Sequence, residues 1–374
     1  MNDAPADIAL IGGGHSHVAV LADWARHGLP ANRAVLLTPR PTLRYSGMVP
    51  GWISGEYKRE EGLVDLAGLA KAAGAELILD RCVAIDPEAR SILTQANGVL
   101  SFTHASIDVG GVGRAARIVG DDPRLIDVRP IDVFVDRLAA ELLEQADGPL
   151  RLAIIGGGAA GFELAFALRN AASLPQPPQV TLVIGSAGPL TGHHPNAARK
   201  ALELASRQGI AVIEGDADIS SGELTVRGLV HEPQDLIIAA IGSGAPDWPR
   251  MGGMEVDMEG FIMVDAHQRA IGYPRIFAAG DCARRVDVQV AHSGVHAVHA
   301  GPVLAANLRA VLSGDPPSHS HRPRRANLYL ISTGNGEAIA SYGPLALQGR
   351  WVARLKAWID KRWIASYARL SKGA

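Results

Sequence analysis

Two glycine-rich segments contain the residues best suited to bind a phosphate-bearing ligand. Gly12-Gly-Gly-His-Ser-His17 follows the apolar run Ile8–Ile11, and Gly156-Gly-Gly-Ala-Ala-Gly161 follows Leu152–Ile155. In a G-x-G-x-x-G turn the first two glycines let the backbone approach a pyrophosphate, and the following helix directs N–H donors and its dipole toward it. The first segment has His17 in the third position, which mainly affects how closely helix and strand pack. Both segments predict a bound dinucleotide.

Carboxylates are the second chemical component of such sites. The acid that usually binds the adenosine ribose hydroxyls is missing from both units, where Thr38-Pro-Arg40 and Gly185-Ser186 follow the second strand. At the second site, this absence removes a reason to prefer NADH over NADPH, and it leaves open a site that binds a nicotinamide cofactor weakly or not at all. A later strand, Ile276–Ala279, ends instead at Gly280-Asp281. We expect Asp281 to serve the first dinucleotide.

The elements that position these residues follow two β-α-β patterns. Residues 7–37 and 152–184 each contain a strand, a glycine turn, a helix and a second strand, and their continuous apolar strands are typical of a parallel sheet covered on both faces. Two more apolar strands stop at Gly110-Gly111 and at Gly242, and a long helix is predicted from His292 to Leu312. This alternation predicts an α/β protein.

The length of 374 residues fits two domains with a short third piece. We predict two Rossmann-like dinucleotide-binding domains plus a small C-terminal segment. Residues 1–117 and 247–325 are expected to form the first domain and residues 118–246 the second. Residues 326–374 are expected to contain one strand, Leu328–Ile331, and an amphipathic helix from about Trp351.

Composition excludes several classes of protein. The net charge of −2 gives no general attraction to nucleic acid or to anionic membranes. Only two cysteines, Cys82 and Cys282, are present, which argues against a disulfide-stabilised secreted protein and against a Cys-x-x-Cys dithiol. No basic leader precedes the first apolar run, and no run approaches the ~20 apolar residues that span a bilayer. We therefore expect a cytoplasmic protein.

Three histidines, His292, His296 and His299, are spaced as metal ligands on a helix would be. No carboxylate or cysteine accompanies them, so a packed or ligand-adjacent histidine row is favoured over a metal site. We predict no metal.

The order of these motifs resembles the pyridine nucleotide-disulfide oxidoreductase superfamily of two-dinucleotide flavoproteins. Within it the chain is most similar to the type II NADH dehydrogenase-like branch, and closest to the flavoprotein module found fused to selenide, water dikinase (selenophosphate synthetase). The segments that carry the resemblance are Gly12–Val18, Tyr45-Ser-Gly-Met-Val-Pro-Gly51, Arg129-Pro-Ile-Asp132, Phe277-Ala-Ala-Gly-Asp281, Gly294-Val-His-Ala297 and the tail Trp351–Tyr367.

The resemblance implies a glutathione reductase-like fold that binds FAD and NAD(P)H. Asp281 would bind the ribityl chain, Met48 and Pro50 would lie near the flavin, and Val83 would lie near the adenine. The full set of residues implied for FAD is Gly12, Gly14, His15, Ser16, Arg40, Met48, Pro50, Val83, Gly110, Gly280 and Asp281. The set implied for the nicotinamide nucleotide is Gly156, Gly158, Ala160, Gly161 and Gly242. Glu163, between nicotinamide and flavin, and His292 are the candidate catalytic residues.

Three functions follow as hypotheses. The first is an FAD-dependent oxidoreductase that takes hydride from NAD(P)H and passes electrons to a quinone-like or other small acceptor. The second is an FAD-binding partner module of selenium metabolism, associated with selenophosphate synthetase and without efficient nicotinamide turnover. The third is an enzyme similar to sulfide:quinone reductase, which would need cooperating cysteines. A monomer or a homodimer is expected.

The terminal segment is rich in aromatic and basic residues, among them Trp351, Trp358, Trp363, Arg354 and Arg362. Such a helix is typical of a lid, a core element or a dimer element. The alternative is an interfacial helix that holds the protein at the inner face of a membrane, where a flavin could reduce a lipid quinone.

Overall fold

The structure, a computed structural model, describes residues 4–143, 148–324 and 326–372. The part of the chain before the second glycine loop forms mostly strands with short helices. Its elements are β1 (Ala6–Ile11), α1 (His15–His27), β2 (Ala34–Thr38), β3 (Thr42–Arg44), α2 (Val49–Ile53), β4 (Leu63–Asp65), α3 (Leu66–Ala72), β5 (Glu76–Leu79), β6 (Cys82–Asp86), β7 (Ser91–Thr94), β8 (Gly98–Ile107), α4 (Ala115–Val119), β9 (Leu125–Asp127) and α5 (Ile131–Leu143).

The remainder of the chain contains the second β-α-β unit, the return to the first sheet and a C-terminal region. Its elements are β10 (Arg151–Ile155), α6 (Ala159–Arg169), β11 (Gln179–Ile184), α7 (Pro195–Arg207), β12 (Ala211–Glu214), β13 (Ala217–Ser220), β14 (Glu223–Val226), β15 (Leu229–Val230), β16 (Leu236–Ala239), α8 (Trp248–Met251), β17 (Ile262–Val264), β18 (Ile276–Ala278), β19 (Ala283–Arg285), α9 (Gly294–Leu312), β20 (Tyr329–Ser332), β21 (Ala338–Tyr342), β22 (Leu345–Gly349) and α10 (Arg350–Ser371).

Two parallel sheets dominate the fold and confirm the predicted α/β class. The first has the strand order β5-β2-β1-β8, with β18 paired to β8 and the antiparallel strands β7 and β6 continuing from it. The second has the order β12-β11-β10-β16-β9 and is parallel throughout. Each glycine loop follows a central strand, β1 or β10. Because parallel strands end at one edge of the sheet, both loops lie where α/β proteins bind ligands.

The buried surfaces of these strands explain their continuous apolar sequences. Ile8, Leu10 and Leu36 face helices α1, α3 and α9 in one cluster, while Ala9 and Val35 face the other side of the same sheet. Helix α9 approaches α1 closely, since a Cβ on Gly301 would lie 2.6 Å from the Ala19 Cβ. This close packing places the N-terminal end of α9 beside the first glycine loop.

The C-terminal region differs from the sequence prediction. It contains three antiparallel strands, β20 to β22, rather than the single strand expected at Leu328–Ile331. The two strands that were missed, Ala338–Tyr342 and Leu345–Gly349, contain Ala, Leu and Gln, whose intrinsic preference is helical rather than extended. Helix α10 then packs against α3 and β4 of the first unit. No helix among the described residues is long and apolar enough to cross a membrane.

Candidate functional site

The first glycine loop is shaped by a neighbouring aspartate. Gly12 has φ +96°, and a Cβ there would lie 2.4 Å from the Asp108 carbonyl oxygen. A Cβ on Gly14 would lie 2.2 Å from the Asp108 Oδ1 atom. Both glycines are therefore required by the protein itself, in addition to the room that they leave for a ligand.

The Asp108 carboxylate lies at the N-terminal end of α1. It is 2% exposed and accepts hydrogen bonds from the backbone N–H groups of Ser16, at 2.7 Å, and His17, at 3.0 Å. Burial raises the pKa of Asp108 to about 7, although these two hydrogen bonds favour the charged form. Asp108 is not among the residues predicted from the sequence. The only available signal was an acid one residue before the Val109-Gly110 strand end.

His17 replaces the third glycine by bridging two elements. Its Nδ1 lies 2.6 Å from the Gly12 carbonyl oxygen, so Nδ1 carries the proton, and Nε2 accepts from the Ser106 hydroxyl at 2.8 Å. Burial lowers the pKa of His17 to about 4, which keeps the ring neutral. In the second loop a Cβ on Gly161 would lie 1.8 Å from the Gly156 carbonyl oxygen. The two loops thus share a motif but pack differently at its third position.

A cleft of ≈ 710 Å³ extends from the first glycine loop along the edge of the first sheet. This volume lies within the about 300–1,000 Å³ typical of small-molecule sites. One end is bordered by the first loop, Gly294 and Ala297. The other is bordered by Thr38–Arg40 and Asp80–Cys82. Of the residues implied for FAD, the cleft is lined by Gly12, Gly14, His15, Arg40, Gly110 and Asp281.

Three of the residues implied for FAD, Val83, Met48 and Pro50, do not line this cleft. Val83 is 40% exposed on strand β6, and its neighbour Cys82 lines the cleft in its place. This alternation follows from the opposite orientation of successive strand side chains. Met48, at the end of the turn Ser46–Met48, and Pro50, in α2, are both buried. Ser46 lines the cleft in their place.

The predicted lack of an acid after β2 is observed. Arg40 lines the cleft and forms an ion pair of 2.8 Å with Asp136. Asp80, at the end of the adjacent strand β5, accepts hydrogen bonds from the backbone N–H groups of Ala96, at 3.0 Å, and Asn97, at 2.9 Å. Its carboxylate is therefore engaged in holding the β7–β8 turn.

Asp281 lies at the carboxyl end of β18, next to the end of β8. Its Oδ2 atom is 3.0 Å from the Arg129 Nη2 atom, and the carboxylate is buried. Gly280 has φ +72°, and a Cβ there would lie 2.4 Å from the Asp108 Oδ1 atom. Asp108 and Asp281 are thus brought side by side, which also contributes to the raised pKa of Asp108.

Glu163 belongs to a buried polar network that joins three parts of the chain. The Glu163 carboxylate accepts from the Ser332 N–H at 2.9 Å. The Lys356 ammonium donates to the Gly47 carbonyl at 2.6 Å and to Asp360 at 2.8 Å, and the Tyr45 hydroxyl donates to Asp360 at 3.2 Å.

The charges of this network depend on one another. Burial raises the pKa of Glu163 despite the opposing charge of Lys356. Burial lowers the pKa of Lys356, but the carboxylates of Glu163 and Asp360 outweigh it and raise that pKa overall. Lys356 and Asp360 therefore form an ion pair beside Glu163, a carboxyl group whose pKa is raised by burial.

An aromatic cluster connects α10 to the first glycine loop. The Trp363 ring stacks on Tyr45 at 4.7 Å between centroids and lies 5.4 Å from the His15 ring. Burial lowers the pKa of His15 to about 4, and among the described residues its Nε2 has no hydrogen-bond partner. The sequence predicts Trp363 only as part of the terminal helix.

His292 does not lie on the predicted helix, because α9 begins at Gly294. The His292 ring stacks on Phe261 at 4.0 Å and lines a small cavity of ≈ 40 Å³ with Asp281 and His296. Within residues 4–143, 148–324 and 326–372, no group of three or more His, Cys, Asp or Glu side chains could hold a metal ion.

Both cysteines are free and buried. Burial raises the pKa of Cys82 to about 12 and also raises that of Cys282, whose thiol donates to the Ala279 carbonyl at 3.3 Å. Thiolates are the reactive form of cysteine, so neither thiol is activated.

The second glycine loop has an open central position. A Cβ on Gly158 would meet no atom within 4 Å, whereas one on Gly156, where φ is +136°, would lie 2.3 Å from the Ala240 carbonyl oxygen. Ala160 is exposed at the start of α6, and Gly242 has φ +83° after β16. A bound ligand could therefore come close to the protein backbone at Gly158.

Comparisons with known proteins give a family match and distant relatives. The family model described as pyridine nucleotide-disulphide oxidoreductase matches residues 6–301. Ferroptosis suppressor protein 1 of Taeniopygia guttata is 23% identical over 298 residues, which cover 75% of this chain and 74% of that protein.

Two solved structures share the fold. The sulfide:quinone oxidoreductase of Aquifex aeolicus superposes with a TM-score of 0.76 at 17% identity, covering 97% of this chain and 91% of that one. The water-forming NADH oxidase of Lactobacillus brevis, bound to NADH, gives a TM-score of 0.71 at 18% identity, covering 90% of this chain and 75% of that one.

Proposed function

Because the chain belongs to the pyridine nucleotide-disulphide oxidoreductase family, we propose that it is an FAD-dependent oxidoreductase that takes hydride from NADH or NADPH. The electrons would pass to a quinone-like or other small acceptor. Family membership confirms the superfamily inferred from the sequence and the expected cofactor classes, FAD and a nicotinamide nucleotide. The type II NADH dehydrogenase-like branch and the association with a selenium-metabolising dikinase stay predictions.

The first cleft has features that fit FAD. Gly12 and Gly14 leave its floor without side chains, the N-terminal end of α1 faces it, and Asp281 and Arg129 border it. A pyrophosphate would lie against the glycine loop at the helix N-terminus, where the dipole favours an anion, and the Ser16 and His17 N–H groups stay with the Asp108 carboxylate. Asp281 would accept hydrogen bonds from ribityl hydroxyls. A bound FAD would supply the redox chemistry, since it accepts hydride and releases electrons, while the protein orients it and controls its surroundings.

The observation that carries the proposal is the position of Glu163. This residue lies two positions after Gly161 of the second loop, yet its network reaches Gly47, next to the cleft-lining Ser46. The helix that would receive the nicotinamide nucleotide therefore places a carboxylate within charge-interaction range of Lys356, which itself donates to the Gly47 carbonyl at the wall of the first cleft. Such a junction is needed when hydride passes between two bound dinucleotides.

The same network can supply protons. Reduction of a quinone consumes two protons together with two electrons, and burial that raises the pKa of a carboxyl group favours its protonated, proton-donating form. Glu163 meets this condition, and the Lys356–Asp360 pair orients the groups around it. We therefore assign proton delivery to Glu163.

The cysteines favour this function over a sulfide:quinone reductase mechanism. That mechanism needs cooperating thiols, and Cys82 and Cys282 are both free, buried and held as thiols. The likeness to the Aquifex aeolicus structure, at 17% identity, concerns the fold.

A membrane surface is a second candidate partner, favoured by an exposed apolar surface on the C-terminal region. Its members are Tyr342, Leu345, Leu347, Trp351 and Trp358, which are 49–59% exposed. Arg350, Arg354 and Arg362 are also exposed on α10. Aromatic and leucine side chains beside arginines are typical of elements that lie in the interface of an anionic bilayer. We call this set the C-terminal aromatic surface.

Anaerobic rapid mixing tests the proposed function. NADH or NADPH should bleach the flavin absorbance, and a short-chain quinone added afterwards should restore it. In Glu163→Gln we expect bleaching to remain and the quinone-dependent recovery to slow. A colourless protein that cannot be reconstituted with FAD, or a flavin that neither nucleotide bleaches, would show that the proposal is wrong.

A further inference from the structure

We propose that Asp216 is the residue that selects NADH over NADPH at the second glycine loop. This inference rests on the proposed function, which assigns a nicotinamide nucleotide to that loop. The sequence has no acid directly after β11, where Gly185-Ser186 stand, and Asp216 comes from the next strand along the chain.

The backbone of the β11 end holds the Asp216 side chain. Ser186 donates its N–H to the Asp216 Oδ1 atom at 2.8 Å, and a Cβ on Gly185 would lie 3.0 Å from the same oxygen. Gly185 therefore leaves room for the carboxylate at the end of β11. In a Rossmann unit this is the position of the adenosine ribose, whose hydroxyls an acid normally accepts.

The order of the strands explains how an acid from β12 reaches this position. Strand β12 pairs in parallel with β11, with Ile184 opposite Glu214. Asp216 follows Glu214 by two residues, so it lies just beyond the shared edge of the sheet. One oxygen is held by Ser186, and the residue as a whole is exposed. The second oxygen is thus available to a ligand hydroxyl.

The first unit provides an internal comparison. Asp80 follows β5, which pairs with β2 as β12 pairs with β11. However, Asp80 is 8% exposed and accepts hydrogen bonds from Arg81, Ala96 and Asn97. In the first unit both oxygens of the equivalent acid, Asp80, accept hydrogen bonds from the protein. In the second unit Asp216 accepts one, from Ser186, and its other oxygen is available to a ligand.

The charges around Asp216 favour a ribose hydroxyl over a 2′-phosphate. A neighbouring basic group, Arg227, is exposed and lies 3.9 Å from Glu214, so an acid already opposes it. A 2′-phosphate would carry about two negative charges toward Asp216 and Glu214, whereas a 2′-hydroxyl would donate a hydrogen bond to the free Asp216 oxygen.

The test uses the flavin-loaded full chain and two pairs of probes. Adenosine 5′-monophosphate and adenosine 2′,5′-bisphosphate, which differ only by the 2′-phosphate, are titrated by calorimetry. NADH and NADPH are compared by anaerobic flavin bleaching. Asp216→Asn keeps an oxygen for the Ser186 N–H and removes the charge, and Asp218→Asn, an exposed acid two residues later, is the matched control.

We expect the wild type to bind the 5′-monophosphate and NADH more tightly than their 2′-phosphorylated counterparts. Asp216→Asn should reduce this preference about tenfold or more, because a hydrogen bond to a charged group is lost together with its repulsion of phosphate. Asp218→Asn should leave the preference unchanged.

The outcomes separate the two proposals. A wild-type preference for the 2′-phosphorylated probes, or an unchanged preference in Asp216→Asn, would overturn the inference while flavin bleaching still supports the proposed function. A preference that depends on Asp216 without any bleaching would uphold the inference and overturn the proposed hydride transfer. Binding of neither probe and no bleaching would overturn both.

Discussion

The Arg129 guanidinium lies 3.0 Å from the Asp281 carboxylate, across the cleft edge formed by the ends of β18 and β9. The two residues are 152 positions apart in the chain. Their pairing fixes the orientation of the carboxylate that we expect to bind the ribityl chain. A substitution at Asp281 therefore removes a ligand contact and leaves the Arg129 charge without its partner.

Asp281→Ala should weaken FAD retention more than a substitution at the second glycine loop. Loss of hydrogen bonds to a charged group corresponds to a decrease in affinity of about 10- to 100-fold. The flavin-to-protein absorbance ratio after gel filtration measures it, and Gly158→Ala is the control, since a Cβ there meets no protein atom within 4 Å. A normal flavin content in Asp281→Ala would contradict the assignment.

Asp108 should make the stability of the flavin-free protein depend on pH. Burial raises the pKa of Asp108 from 3.8 to about 7, so the folded state binds the proton more tightly than the unfolded state. The stabilisation is fully present below about pH 4 and is lost as the pH rises to about 7, by up to a few kcal/mol.

Asp108→Asn should remove that pH dependence, because an amide keeps a hydrogen-bond acceptor for Ser16 and His17 without titrating. Urea unfolding of both proteins at several pH values gives the difference directly. The nearby titratable groups, Asp281, His15, His17 and Cys282, are present in both proteins, and Asp281 and Cys282 are coupled to Asp108 by charge, so the difference between the profiles reports Asp108 together with this coupling. Parallel pH profiles for the two proteins would argue against a raised Asp108 pKa.

The Lys356–Asp360 pair should stabilise the fold only as a pair. Both side chains are buried, at 9% and 3% exposure, so Lys356→Met leaves an uncompensated carboxylate and should cost about 3–5 kcal/mol. The double variant Lys356→Met, Asp360→Leu should recover much of that loss. Chemical denaturation of both single variants and the double variant measures the coupling, and losses that add up in the double variant would show that the pair is not coupled.

Two glycine variants should separate ligand binding from folding at the second loop. Gly161→Ala places a Cβ 1.8 Å from the Gly156 carbonyl oxygen and should destabilise the protein. Gly158→Ala meets no protein atom and should leave the melting temperature unchanged while weakening nucleotide binding about tenfold or more. Thermal unfolding and NADH titration distinguish the two effects. Normal NADH binding in Gly158→Ala would place the nucleotide elsewhere.

The C-terminal aromatic surface should bind anionic bilayers. Replacing Trp351 and Trp358 together with serine should weaken sedimentation with phosphatidylglycerol–phosphatidylcholine vesicles by roughly tenfold or more. This double variant is a sharper test than truncation after Gly349, since truncation also removes the buried Lys356 and Asp360. Met258→Ser, at a 98% exposed position outside the surface, is the control. Equal binding by all variants would exclude a role for these tryptophans.

The sequence predicted much of the fold because its strongest signals are local. A glycine turn between an apolar strand and a helix is defined by about thirty consecutive residues, and both such units have the predicted form. The C-terminal sheet was missed since β22 contains residues of weak strand preference and β21 only two residues that favour strands, Ile339 and Tyr342. The pairing of β20 with β21 and of β21 with β22 determines their conformation.

The same difference between local and long-range interactions explains which site residues could be predicted from the sequence. Gly12, Gly14, Gly156 and Gly161 were found from spacing alone, because each acts through its own backbone conformation or the absence of its Cβ. Asp108 and Lys356 were not found, because their roles come from partners far along the chain. Ser16 and Asp108 are separated by 92 positions, and Lys356 and Gly47 by 309.

The sequence by itself therefore determined two dinucleotide-binding units and the family to which they belong. Only the tertiary structure decided which charged groups meet at their edges: Asp281 with Arg129, Glu163 with Lys356, and Asp216 with the end of β11. The reason is that turn geometry depends on neighbouring residues, whereas the protonation and availability of a carboxylate depend on burial and on partners that only the folded chain brings together.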